Sequence, residues 1–108
     1  MGINQLRARA KYWKRVLNLT EWKIDVSWMT EEDDELNAVG LCRWMAEEQT
    51  AEIRIRKTTP NEDVLLHEIL HLLFDGHLNY EYEEYCPLHE RSINKITDSL
   101  MKLEYKGQ

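Results

Sequence analysis

The sequence predicts an α+β fold built from an N-terminal helix, a small three-stranded, mainly antiparallel sheet, a motif-bearing helix and a C-terminal helix. Three observations carry the prediction. Apolar residues recur at spacings of three and four near both ends of the chain, they alternate with polar residues in the middle, and a helix-start signal at residues 59–62 separates the two regimes. A chain of 108 residues has the size of one compact domain, residues 1–108, with no room for a second independent core.

Taken in order, Ile3, Leu6, Ala10, Trp13 and Leu17 share one side of the first predicted helix, with basic residues on the others. Trp22, Ile24, Val26 and Trp28 alternate with Lys23, Asp25 and Ser27, the period of a half-buried strand. An acidic loop follows over Thr30–Glu35. Val39–Met45, containing Gly40, reads as the second strand, and Ala51, Ile53 and Ile55 alternate with Glu52, Arg54 and Arg56 in the third. Thr59-Pro60-Asn61-Glu62 has the form of a capping box with Pro60 at the first helical position, and Gly76 is placed to end that helix in a left-handed cap. After the tyrosine-rich stretch Asn79–Tyr85, Pro87 opens a last helix with Ile93, Ile96, Leu100 and Leu103 as its apolar stripe.

A hydrophobic fraction of 43% with four Trp and five Tyr argues for a packed core and against global disorder. No apolar run is long enough to cross a bilayer and the N-terminus lacks a secretory signal, so the expected location is the cytoplasm and no membrane partner is expected. Cys42 and Cys86 are too few for a disulfide framework and read as reduced thiols. The net charge of −6 argues against nucleic acid as the main partner. The distribution is uneven, however: Arg7, Arg9, Lys11, Lys14 and Arg15 give the first twenty residues +5 and leave −11 for the rest. A basic surface for nucleic acid is therefore the reading from another class, set against an ordinary solvated helix face.

Chemistry concentrates at His67-Glu68-Ile69-Leu70-His71, an HExxH motif inside the fifth predicted element. Four residues are slightly more than one helical turn, so His67 and His71 project from nearly the same side and can reach one metal. Glu68 lies about 100° around the axis from His67, out of place as a ligand but able to bond a water on the metal. Zn²⁺, one per chain, fits best, because a catalytic zinc takes three N or O protein ligands and keeps one position open. Such a metal brings the pKa of its water toward neutrality, and Glu68 would act as general base toward a peptide carbonyl and as acid toward the leaving amine. By average residue usage, a chain this long contains HExxH by accident in fewer than about one case in a hundred. A third ligand has to come from His77, His89 or Glu90, and spacing leaves that choice open.

Glu90-Arg91-Ser92-Ile93-Asn94, read together with HExxH, resembles the gluzincin metallopeptidases, in particular the small minigluzincins and related phage and prophage metallopeptidase-like proteins. The resemblance implies a minimal zincin-like fold, Glu90 as third zinc ligand, and Asn94 as the partner that orients a zinc-binding histidine. It implies a zinc-dependent peptidase, an endopeptidase by expectation, acting on a peptide or protein that pairs along strand 51–56, whose other reading is a plain edge strand. It covers most of the chain in element order. Tyr80, Tyr82 and Tyr85 are candidates to swing toward the cleft, and Cys86 to block the metal. The alternative function is an inactive zinc-binding relative that serves as an interaction or regulatory module.

Overall fold

The computed structural model describes residues 1–77 and 87–106, and at 34–36 and 87–89 it describes the backbone alone. The element order is α1 (Ile3–Val16), β1 (Lys23–Trp28), a 3₁₀ turn (Glu31–Leu36), β2 (Gly40–Met45), β3 (Thr50–Ile55), α2 (Asn61–Asp75) and α3 (Pro87–Glu104). The α+β class and the order of elements agree with the sequence reading. Tyr80, Tyr82, Tyr85 and Cys86 lie outside the described residues, as does the side chain of His89 in the first turn of α3.

The three strands stand in the order β1-β3-β2. β2 and β3 form the expected antiparallel pair, from Gly40 opposite Ile55 to Met45 opposite Thr50. β1 joins the other side of β3 in parallel, from Lys23 opposite Thr50 to Trp28 opposite Ile55, so the sheet is mixed. The segment between β1 and β2 therefore has to pass across the end of β3. Backbone bonds from Met29 N–H to the Ile55 carbonyl and from Arg56 N–H to the Val39 carbonyl hold it there. Asp33 in the 3₁₀ turn, 5% exposed, accepts from the Arg54 guanidinium at 3.1 Å. The acidic stretch read as a loop is thus anchored by a charge pair whose carboxylate is buried.

This topology corrects one expectation. Segment 51–56 is the central strand rather than an edge, and its backbone groups are used by neighbours on both sides. A peptide has no edge there to extend. The edge strand on the side of the motif helix is β2.

Ala51, Ile53 and Ile55 face the core together with Val26 and Trp44, as strand alternation requires. Against that face lies α2, with Leu65, Leu66, Ile69, Leu70 and Leu72 at most 1% exposed. A helix this apolar around its circumference belongs in the middle of a fold, and α1 and α3 cover its remaining sides. Leu6, Ala10 and Trp13 of α1 are buried as the periodicity predicts. In α3 Ile93 is fully buried and Ile96 and Leu100 are partly so, whereas Leu103 is 69% exposed. The stripe turns outward before the helix ends.

Both cap predictions for α2 also need correction. Pro60 occupies the N-cap itself and no side chain caps the helix. Thr59 Oγ1 donates instead to the Arg56 carbonyl at 2.7 Å, and Glu62 is engaged elsewhere by α1 and the residue after α3. Gly76 has φ −63°, an ordinary right-handed value. Space explains that glycine: a Cβ there would meet the Leu72 carbonyl oxygen at 2.4 Å and the Trp22 ring at 3.1 Å.

Candidate metal centre

Two facing helices build the centre. On α2 the HExxH spacing directs His67 and His71 to one side, His71 being 2% exposed. On α3, Glu90 stands one turn before Ile93, and the complete burial of Ile93 against the core fixes that end of the helix beside α2. The carboxylate of Glu90 then meets both rings. His67 Nε2 lies 3.1 Å from Oε2 and His71 Nε2 lies 2.7 Å from Oε1. The two Nε2 atoms are 3.1 Å apart, with ring planes inclined at 65°.

Those separations are the fit test for a metal. Two ligands on a tetrahedral zinc at about 2.05 Å each would stand about 3.3 Å apart. The donor atoms of His67, His71 and Glu90 converge on one point at nearly that spacing, and they form the one such group of histidine, cysteine and carboxylate side chains among the described residues. His77 is exposed beyond α2 and is no part of it. The donor set, two imidazoles and a carboxylate, is one that a zinc ion accepts.

The surroundings favour the neutral form of His67. Burial holds the His67 pKa below its ordinary value, the neighbouring His71 adds to the effect, and Glu90 and a side-chain hydrogen bond with Asn94 oppose it. A neutral imidazole is the form that offers a lone pair. Asn94, four residues after Glu90, is thus in contact with His67 as the resemblance implied. On the other histidine, Nδ1 lies 3.6 Å from Asp75 Oδ2. The sequence reading missed Asp75, although its place four residues after His71 on the same helix was a readable signal.

A cavity of about 490 Å³ opens over this group. Gly40 and the residues before it form one wall, Val64 and Glu68 of α2 another, and Thr97 and Asp98 of α3 a third. Glu68 is 7% exposed and lines the cavity beside the histidines, where a base would be needed. Asp63 and Asp98 line it one turn beyond His67, and burial, Asp98 and Glu62, in that order, raise the Asp63 pKa. No Lys or Arg side chain lines the cavity among the described residues.

Comparison with protein-family models, with curated proteins and with solved structures returned no match.

Proposed function

We propose that this protein is a zinc-dependent peptidase of gluzincin type, with His67, His71 and Glu90 as the metal ligands and Glu68 as general base and acid. One observation carries the reading: three ligand atoms from two helices converge on a point in the cavity that Glu68 also lines. Zinc held there would supply Lewis acidity, polarising a substrate carbonyl and lowering the pKa of a water. Glu68 takes the proton from the attacking water and returns it to the amine as the peptide bond breaks.

The substrate class follows from charge and topology. Among the described residues every formally charged side chain lining the cavity is acidic, so a peptide carrying a cationic group is favoured. An extended peptide would lie along β2, the edge strand whose first residue forms a cavity wall. The test is Glu68→Gln, which keeps the ligands and removes the base. Zinc content unchanged with hydrolysis lost supports the mechanism, and undiminished cleavage refutes it.

The second reading, a zinc-binding module without turnover, has one observation in its favour. Among the described residues no Tyr, Lys or Arg side chain lines the cavity to stabilise a developing oxyanion. It predicts bound zinc and no cleavage of any peptide, in the parent as in Glu68→Gln.

A further inference from the structure

We infer that Gly40 is a positioning residue: the absence of a side chain at the start of β2 sets where the Glu68 carboxylate stands beside the histidine pair. The catalytic meaning of that placement rests on the peptidase reading, while the placement itself can be measured without it.

Gly40 is the first residue of β2 and pairs with Ile55 in the sheet, and its backbone has no left-handed φ that would by itself call for glycine. What requires glycine is proximity. A Cβ at this position would lie 2.6 Å from Val64 Cγ1, 3.1 Å from Glu68 Cγ and 3.1 Å from Glu68 Oε1. Strand and helix therefore meet at the base of the proposed reaction, with the glycine Cα abutting the Glu68 side chain.

A methyl group here has to displace something, and the structure indicates which partner yields. The strand is held by its register with β3 and by the bond from Arg56 N–H to the Val39 carbonyl at 2.9 Å. The Arg56 guanidinium also donates to the Ala38 carbonyl at 2.8 and 3.0 Å, pinning the backbone just before Gly40. The α2 backbone is fixed by its buried apolar faces. The side chains of Val64 and Glu68 are the softer partners. Glu68 has three rotatable bonds and an open cavity beside it, so its carboxylate moves away from the strand and from its place beside the metal ligands.

The experiment compares the parent with Gly40→Ala, Val64→Ala and the double variant, measuring zinc content, kcat and KM, and the ¹³C resonance of the Glu68 carboxyl carbon. Gly40→Ala is expected to keep about one zinc per chain and to shift the Glu68 resonance. It should lower kcat about 10- to 100-fold with little change in KM, the scale of a misplaced catalytic group. Val64→Ala removes the tightest of the three contacts. Adding Gly40→Ala to it should therefore restore folding stability relative to Gly40→Ala alone while kcat stays about 10- to 100-fold below that of Val64→Ala. An unchanged Glu68 resonance in Gly40→Ala overturns the inference, as does a double variant with the kcat of Val64→Ala, which would make the defect one of packing against Val64. A parent that holds zinc and hydrolyses no peptide refutes the peptidase reading instead, and the Glu68 resonance then decides the placement alone.

Discussion

Asn94 and Glu90 stand one turn apart on α3, so on the proposed reading a single turn of helix supplies both a ligand and the side chain that aims another. Partners of this kind are worth about 10- to 100-fold in metal affinity. Asn94→Ala is expected to weaken zinc binding by that amount in a chelator competition, and unchanged affinity would mean that packing alone orients the His67 ring. Acid acts on the same residue. Because the His67 pKa is held below its ordinary value, the neutral, ligating form still predominates at that ordinary value and is lost only as pH falls through the lowered one. Zinc affinity should therefore be nearly flat at and above the ordinary value and fall as pH drops through the lowered one. The same shift makes the metal-free fold more stable above the ordinary value and less so as pH falls through the lowered one. At this scale the sequence was readable where one helix sets the spacing, as for His67, Glu68 and His71. Glu90 and Asn94 sit on a second helix, where no spacing rule connects them to the first pair, and the choice came from a resemblance. Gly40 was unreadable in its role, because its neighbours Val64 and Glu68 are brought to it only by packing.

Between elements, the antiparallel course of α2 and α3 brings Asp63 and Asp98 to the cavity wall one turn beyond His67. Asp63→Asn and Asp98→Asn are each expected to raise KM for Lys- or Arg-containing peptides by up to about fivefold, the worth of a partly exposed charge contact, and to leave neutral peptides unaffected. Equal effects on both peptide classes would contradict the charge argument. Alternation placed the strands nearly to the residue, yet it says nothing about strand order. That is why 51–56 could be read as an edge while its backbone is paired on both sides. Nor does a T-x-x-E pattern ensure a capping box when a stronger set of partners competes for the Glu. Glu62 accepts from Trp13 Nε1 at 2.8 Å and Arg9 at 3.0 Å, and from the Tyr105 hydroxyl.

Across the whole molecule, that same Glu62 fastens α1 and the residue following α3 to the start of α2, while Glu104 accepts from Arg9 and Tyr12 close by. The cluster ties α2 and α3 together at the end remote from Glu90. Glu62→Gln keeps the shape but loses the charge that Arg9 faces, and unfolding measurements should show a loss of about 1.5–3 kcal/mol; an unchanged stability would mean that apolar packing alone holds the helices together. The basic N-terminus also acquires a structural account. Besides Arg9, Arg7 donates to the Val26 carbonyl and Lys14 to the Trp22 carbonyl, covering the outer side of β1. A charge pattern that could be read as a nucleic-acid surface thus fastens the chain to itself at three of its five positions. No described helix is long and apolar enough to cross a membrane. Whether α2 and α3 jointly hold one metal is decided by elemental analysis of protein purified without chelator. The account predicts about one zinc per chain in the parent and in His89→Ala, and none in Glu90→Ala. A parent that takes up no zinc even when it is supplied, or a Glu90→Ala variant that keeps it, would contradict the account.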